Sequence, residues 1–323
     1  MLKKLKTIFL RIIISAISLI FVFYSVRGQV VQGLSHLTNI SISPLLIALA
    51  INFISLAVVT FRLDMILAIQ RIHLSFKRLY YLWVISLFFN LFLPSAVGGD
   101  IAKAYYIYKD SGKKMASATS VLIDRFFGLM ATISIAFFTF LFAHKHIDDR
   151  RIGQLLFWVT GLVITIVLFL MSHQFSKPAR ELLLKVSPKR FYERLGKLFE
   201  VLDLYRNRRI DFCMAYFYSL VAQAMFITLI YFLAVSIHID LPITLFFLFL
   251  PLIAVISMVP SIGGLGVREA ATVYLFRSYT SLDQAIALSL ICDLFLYGLG
   301  CACGILYAVR GGASIRELER MES

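Results

Sequence analysis

PSAVGGD at residues 94–100 is the stretch that decides the fold, because it recurs as PSIGGLG at residues 260–266. The two prolines are separated by 260 − 94 = 166 residues. Each copy contains a helix-breaking proline and paired glycines, which permit a sharp turn and close approach of the backbone. A repeat of helix breakers within a hydrophobic chain is typical of a duplicated transport scaffold.

Charged residues follow each copy in the same order. Lys103 and then Asp124 follow the first copy, and Arg268 and then Asp293 follow the second. The two aspartates are separated by 293 − 124 = 169 residues, close to the spacing of the prolines. Both lie in apolar stretches, where a charge near the bilayer centre costs about 2.5–3.5 kcal/mol on insertion scales. We therefore expect each of them to have a partner on another element.

The composition identifies a membrane protein. Hydrophobic residues make up 60% of the 323-residue chain and charged residues only 15%, whereas soluble domains have about 25% charged residues. The mean hydropathy is +0.86. The formal net charge of +14 comes from Lys and Arg that lie mainly between apolar segments, where they set topology and contact anionic headgroups. We therefore expect no nucleic-acid partner.

The sequence predicts neither a metal site nor a cofactor. The cysteines lie within apolar segments without CxxC spacing, and they are Cys213, Cys292, Cys301 and Cys303. His144 and His146 are the closest histidine pair and lie beside two aspartates, but a solvated turn is favoured over a metal site there. The sequence contains no Walker, HExxH or GxSxG motif, and we assign no catalytic residue.

Six apolar segments are long enough to cross a bilayer core about 30 Å thick as helices. They cover approximately 8–26, 44–63, 116–143, 154–172, 211–236 and 284–309. Two further apolar segments, 79–97 and 242–259, run directly into PSAVGGD and PSIGGLG. The second resumes as a short helix over roughly 264–277, and the first resumes as the polar-aromatic stretch 101–109.

Positive charge indicates which segments cross the membrane. Residues 173–210 contain ten Lys or Arg residues, so this connection belongs in the cytoplasm. From a cytoplasmic N-terminus, it reaches the cytoplasm only if segment 79–97 enters and returns on one side. The basic tail likewise requires the 242–277 unit to enter and leave from outside. Each half, 1–143 and 154–309, then has three crossings and one re-entrant hairpin, which inverts the second half relative to the first.

The sequence thus predicts an all-α polytopic membrane protein of the cell membrane, with six full spans and two re-entrant helical hairpins in an inverted-topology repeat. The chain, 1–323, forms one transmembrane domain with both termini in the cytoplasm, and 173–210 is a basic amphipathic connection on the inner leaflet. The alternative is that both hairpin units are kinked spans whose glycines only allow tight packing. Buried breaks would instead line a cavity, because non-helical backbone in the membrane must face protein or water.

The breaks and the charges beside them form the predicted site for substrate binding and translocation. A helix that restarts after a break presents unpaired N–H groups, which suit a phosphate. The predicted site residues are Pro94, Gly98, Gly99, Asp100, Lys103, Asp124, Arg125, Pro260, Ser261, Gly263, Gly264, Gly266, Arg268, Glu269 and Asp293.

In the first half, we expect Arg125 to pair with Asp100 or a lipid phosphate, and Asp124 to pair with a cation. Lys103 adds to the attraction for an anion, or alternatively extends to the surface. Arg62, at the end of the second span, is interpreted as a topology anchor. A purely structural network of buried ions is the alternative to a functional site.

In the second half, Asp293 has no basic neighbour within its own span, and we expect Arg268, Lys103 or a proton as its partner. Arg268 alternatively pairs only with Glu269. Glu269 lies in the first turn of the restarted helix, where a carboxylate is favoured by the helix dipole. Capping and proton coupling are both open roles for it.

These residues also carry a family resemblance. PSAVGGD, followed by KAY at 103–105 and VLIDRFFGL at 121–129, resembles the membrane region of lysylphosphatidylglycerol synthases. VPSIGGLGVRE at 259–269 is similar to that family's second signature. The resemblance covers nearly the whole chain and implies a flippase-like unit that moves aminoacylated phospholipid between leaflets. Related membrane regions accompany glycosyltransferases that act on polyprenyl-linked sugars.

Three functions remain open from the sequence. The first is a flippase-like protein that moves an anionic or aminoacylated phospholipid, or a polyprenyl-linked amphiphile, between leaflets. The second is a membrane subunit that partners a separately encoded lipid synthase or glycosyltransferase, and a homo-oligomer is compatible with either. The third is a membrane-embedded headgroup transferase that uses Asp124, Glu269 and Asp293 as acid–base groups. Few residues follow the last predicted span, so we expect the soluble aminoacyl-transferase domain to be absent and favour the first function.

Overall fold

The structure is a computed structural model that describes residues 39–92, 98–143, 161, 208–257 and 266–309. The regular structure within these ranges is entirely helical. Four helices precede residue 144: α1 (Ile42–Ile69), α2 (Phe76–Phe92), α3 (Gly98–Ser111) and α4 (Lys114–Ala143). Four follow residue 207: α5 (Arg209–Ser236), α6 (Ile243–Ile256), α7 (Val267–Phe276) and α8 (Leu282–Val309).

Four of these helices are long and apolar enough to cross a membrane. They are α1, α4, α5 and α8, whose apolar parts contain 26 to 28 residues. At 1.5 Å per residue this gives about 39–42 Å, more than the bilayer core of about 30 Å. The predicted helices at 44–63, 116–143, 211–236 and 284–309 are thereby confirmed. The predicted spans 8–26 and 154–172, and most of the connection 173–210, lie outside the described residues.

α2 and α3 run antiparallel and pack closely along each other. Near the start of α2, Arg78 Nε donates a hydrogen bond to Asp110 Oδ2 at the end of α3, at 2.7 Å. At the other end of the pair, the Gly99 N–H donates to Asn90 Oδ1 at 2.7 Å. A Cβ atom on Gly99 would lie 2.4 Å from the carbonyl oxygen of Ser86. The close approach of the two helices therefore requires glycine at this position.

α6 and α7 form a second pair that returns toward the end from which it started. Phe246 and Phe249 of α6 contact Phe276 at the end of α7, with ring centroids 5.1 and 5.3 Å apart. α7 begins after Gly266, whose φ of 82° lies in the left-handed region that favours glycine. The predicted helix over roughly 264–277 is thus present with slightly different bounds.

The prolines of both motifs lie in 93–97 and 258–265, outside the described residues. The predicted site residues Pro94, Pro260, Ser261, Gly263 and Gly264 fall within these two stretches. α3 nevertheless begins earlier than predicted, at Gly98 and not at residue 101. Paired glycines can belong to a helix when, as here, a neighbouring helix packs directly on them.

The long helices hold the two helical pairs between them. α1 and α5 share the most extensive contact, and the Ser41 N–H before α1 donates to the Ser236 carbonyl at the end of α5 at 2.8 Å. The two helices are therefore antiparallel. α4 packs on α6, and α8 packs on α2. Each pair thus lies against a long helix from the other part of the chain.

One end of the bundle is basic. The ends of α1 and α3 meet the start of α4 there, and Lys113 Nζ donates to the Arg71 carbonyl at 2.8 Å. Among the described residues, Arg277 is the only Lys or Arg at the opposite end. The basic end contains Arg71, Lys77, Arg78, Lys109, Lys113, Lys114 and Arg208.

Candidate functional site

Asp124 is buried where α1, α3 and α4 meet, ten residues after the start of α4. Its Oδ1 accepts a hydrogen bond from Arg62 Nε at 2.7 Å, and its Oδ2 lies 3.9 Å from Lys103 Nζ. The three side chains are only 3%, 6% and 1% exposed, respectively. Charges so deeply buried are tolerated only when they are paired. The expectation that Asp124 has a cationic partner is confirmed.

Arg62 is a site residue that the sequence interpretation missed. α1 continues to Ile69, so Arg62 lies about 10 Å before the helix end, and its role as a topology anchor is wrong. Besides Asp124, Arg62 binds Ser219 of α5, with Nη1 to Oγ at 3.0 Å. The signal that could have found it is an arginine on an apolar helix, which needs a buried anion as its partner.

Asp100, in the first turn of α3, lies between two cations. Arg125 Nη1 donates to Asp100 Oδ2 at 2.7 Å, which confirms one of the two expected partners of Arg125. Lys103 Nζ lies 2.8 Å from Asp100 Oδ1. The Arg125 side chain is 36% exposed and the Asp100 side chain 22%, so this pair is more accessible to solvent than the pair of Arg62 and Asp124.

Lys103 is held without a fixed hydrogen bond. Its Nζ is within ion-pair distance of Asp100, but in the described part of the chain it makes no contact with hydrogen-bond alignment. Nζ also lies 3.2 Å from the ring centroid of Trp83 on α2, a cation–π contact. The alternative that Lys103 extends to the surface is wrong, because its side chain is 1% exposed.

We call these five charged residues group 1. It contains three cations and two carboxylates, and its formal charge is therefore 3 − 2 = +1. Its members are Arg62, Asp100, Lys103, Asp124 and Arg125.

Group 2 consists of Arg268 and Glu269 on α7 and Asp293 on α8. Arg268 Nη2 donates to Glu269 Oε1 at 3.2 Å and also to Asp293 Oδ1. Arg268 therefore binds Glu269 and Asp293 at the same time. Glu269 Oε2 is buried and has no hydrogen-bond partner among the described residues. With one cation and two carboxylates, the formal charge of group 2 is 1 − 2 = −1.

The two groups share the same arrangement of one cation and one aspartate. In each, a cation on the second helix of an antiparallel pair meets an aspartate on the long helix that follows. Lys103 of α3 meets Asp124 of α4, and Arg268 of α7 meets Asp293 of α8. The structure thus brings the charged site residues together in two sets, one in each half of the chain. Gly98, Gly99 and Gly266 lie at the starts of the helices that carry the cations.

A cavity of about 500 Å³ lies at the basic end, beside α2 and the end of α8. Its lining is mostly apolar and aromatic, with one lysine, and shares no residue with group 1 or group 2. The lining residues are Phe76, Lys77, Tyr80, Tyr81, Val84 and Leu306. Among the described residues, no cluster of three or more His, Cys, Asp or Glu side chains is arranged to hold a metal ion.

Comparison with known proteins places these groups within one family region. A family model described as the lysylphosphatidylglycerol synthase TM region matches residues 8–304. That range includes both motifs, both charged groups and all eight described helices up to the last turns of α8. A comparison with curated proteins finds no match.

Proposed function

Because the chain belongs to the lysylphosphatidylglycerol synthase transmembrane-region family, we propose that it is a flippase-like membrane protein. Its substrate would be an anionic or aminoacylated phospholipid, or a polyprenyl-linked amphiphile, that moves between leaflets. The observation that carries this proposal is that two groups of largely buried charged side chains lie between the membrane-crossing helices. Intramembrane charges of this kind mark pathways for polar substrates.

We infer an inverted-repeat architecture of six spans and two re-entrant hairpins. Each helix of the first half can be exchanged for the helix four places later: α1 for α5, α2 for α6, α3 for α7 and α4 for α8. Under this exchange, the α2–α3 contact corresponds to α6–α7, the α3–α4 contact to α7–α8, and the α4–α6 contact to α8–α2, and all of these contacts are present. The α1–α5 contact maps onto itself, and the contact between α4 and α5 is the exception. This exchange symmetry supports a two-fold relation between the halves.

The lengths of α2 and α6 support the interpretation of the two helical pairs as re-entrant hairpins. α2 has 17 residues and α6 has 14, which correspond to about 26 and 21 Å and fall short of the bilayer core of about 30 Å. The hydrogen bond between Arg78 and Asp110 joins the start of α2 to the end of α3. Both ends of this hairpin therefore belong on the same membrane face.

The charge distribution supports an orientation in which the basic end is cytoplasmic, following the positive-inside rule. The protein would then be a multi-pass protein of the cell membrane with cytoplasmic N- and C-termini. In this orientation, Lys113 and Arg71 lie at the inner surface, and Arg277 lies near the outer surface.

Group 1 is suited to receive the anionic part of a headgroup. Arg125 is its most exposed cation, and the start of α3 presents N–H groups beside Asp100. A phosphate that bound Arg125 would weaken its hold on Asp100, and Lys103 would remain to neutralise that carboxylate at 2.8 Å. Lys103 can change partners at low cost because no aligned hydrogen bond fixes it. The acyl chains would stay in the lipid.

Headgroup transfer is less well supported than transport. A general acid or base must reach the reacting atoms, whereas Asp124 is 3% exposed and enclosed by Arg62 and Lys103. We therefore propose that the chain itself is not an enzyme. A separately encoded synthase or glycosyltransferase would supply the chemistry and act as its partner.

The test is leaflet exchange of fluorescent lipids in proteoliposomes, with a panel of anionic, zwitterionic and aminoacylated phospholipids and a polyprenyl phosphate. We expect exchange of at least one of these lipids above the rate in protein-free vesicles, with no chemical change to the lipid. Arg125→Gln should reduce that exchange, while Lys114→Gln at the basic end serves as the matched control. Exchange no faster than in protein-free vesicles for every headgroup would contradict the proposal.

A further inference from the structure

We propose that Glu269 and Asp293 together bind one exchangeable proton, and that this proton couples the movement of lipid to the proton gradient across the membrane. The proton site follows from the geometry of group 2 alone. The coupling rests on the proposed function, and the experiment below separates the two.

The charge of group 2 is the first reason for a proton. Arg268 is the only cation in contact with the two carboxylates among the described residues, and it binds both of them. The side chains of Glu269 and Asp293 are only 10% and 15% exposed. Two carboxylates that share one site and one counter-ion do not both remain ionised without cost. One bound proton brings the group from −1 to neutral.

The unsatisfied oxygen of Glu269 is the second reason. Its Oε1 accepts from Arg268 at 3.2 Å, but its Oε2 is buried and has no partner among the described residues. A buried carboxylate oxygen without a donor is costly. The carboxyl groups of Glu269 and Asp293 also lie close together, because one nitrogen atom, Arg268 Nη2, donates to both of them. A proton between them would turn a repulsive contact into a hydrogen bond, and the two residues would titrate as a pair.

Within the described part of the chain, no other charged side chain contacts group 2. The further titratable side chains that face it are Cys292 and Tyr297, both on α8. α6, which packs on α7, has no titratable side chain, and neither has the connecting stretch 258–265. No described titratable side chain of α2 or α5, which pack on α8, acts on the group.

A proton fits this group better than a metal cation. The guanidinium of Arg268 already binds both carboxylates, and it would repel a second full cation beside them. A sodium or calcium ion would also need several more oxygen ligands. A proton needs only the free lone pair of Glu269 Oε2.

The coupling follows from the cost of moving a charge through an apolar region. With the proton bound, group 2 is neutral and can be enclosed while the protein changes its exposure between the two sides. Without the proton, the net charge of −1 disfavours enclosure of the group and keeps it in contact with water. Each change of exposure therefore carries one proton, which is bound on one side and released on the other.

The first arm of the test measures the proton itself and needs no transport. Infrared difference spectra of the purified full-length protein are recorded between about pH 5 and about pH 8. We expect a signal from a buried protonated carboxyl in the wild type that is lost in both Glu269→Gln and Asp293→Asn. Either variant leaves one cation and one anion, which need no proton. Asp240→Asn, which removes an exposed carboxylate from the connection between α5 and α6, should retain the signal.

The second arm imposes a pH gradient on proteoliposomes that contain a lipid found to be exchanged. For one proton per lipid, the ratio of that lipid between leaflets should change by up to about tenfold per pH unit. Any lipid exchange that remains in Glu269→Gln or Asp293→Asn should not respond to the gradient. Chromatography of each variant checks that it is folded, and the two variants control for each other.

The outcomes distinguish the two proposals. A carboxyl signal that is unchanged in both variants overturns the proton site, and exchange that follows a sodium gradient and ignores pH overturns the coupling. A carboxyl signal that behaves as expected, together with no exchange of any lipid, retains the proton site and refutes the flippase. Exchange that ignores the gradient in the wild type refutes the coupling.

Discussion

The pair formed by Arg62 and Asp124 provides the sharpest test of the site. Replacing Arg62 with Met removes the 2.7 Å bond to Asp124 and leaves that carboxylate with Lys103 at 3.9 Å. Breaking a buried ion pair from one side costs about 3–5 kcal/mol, here because Asp124 loses its only hydrogen-bonded cation among the described residues. Asp124→Leu should cost a similar amount for the same reason. The double variant removes both charges and should cost clearly less than the sum of the two single variants.

The assay is reversible unfolding in mixed detergent micelles, followed by circular dichroism, as a double-mutant cycle. The matched control is Arg78→Met, which breaks an ion pair of the same length between side chains that are 34% and 21% exposed. That pair should contribute only about 0–1 kcal/mol. Single-variant costs at Arg62 no larger than at Arg78, or strict additivity of Arg62→Met and Asp124→Leu, would refute the proposed buried pairing.

Three further predictions concern the close helix contact, Lys103 and the orientation. Gly99→Ala should destabilise the protein by about 1–3 kcal/mol, because its Cβ would lie 2.4 Å from a backbone oxygen. The control, Gly298→Ala, has open space around its Cβ and should be neutral or stabilising by up to about 1 kcal/mol. Equal unfolding curves for the two variants would contradict the close contact between α2 and α3. Lys103→Met should shift the emission of Trp83 in a Trp158→Phe background, because it removes an ammonium 3.2 Å from the indole ring, and an unchanged spectrum would mean that Lys103 lies elsewhere. A cysteine at Ser111 should react with an impermeant reagent only from the cytoplasmic side, and one at Asp240 only from outside; labelling of both from one side would contradict the inferred orientation.

Hydropathy predicted the long helices well because their length follows directly from the thickness of the bilayer. It placed the end of α1 too early, at residue 63, because Arg62 and Asp64 interrupt the apolar run. The structure continues the helix to Ile69, since a tertiary ion pair with Asp124 compensates the charge of Arg62. Local pattern cannot contain that information, because the partner lies 62 residues away.

The pairing of the site charges was predictable where only a few partners of opposite sign were available. Asp100 for Arg125, and Arg268 for Asp293, both follow from the need to neutralise intramembrane charge. The burial of Lys103 was not predictable, because the sequence does not indicate that the ring of Trp83, on a different helix, covers its ammonium group. The sequence also does not predict that one guanidinium binds both Glu269 and Asp293, because Asp293 lies on a different helix, 25 residues from Arg268.

The opposite net charges of the two groups arise from the charged residues that each half adds to a shared cation–aspartate pair. Lys103 with Asp124, and Arg268 with Asp293, are each neutral pairs in equivalent places. The first half adds Arg62, Asp100 and Arg125, a net change of +1. The second half adds Glu269, a change of −1, at the position where the first half has Ala104 directly after its cation. The halves are therefore alike in scaffold but complementary in charge. From this we infer a division of labour in which group 1 attracts an anion and group 2 a proton.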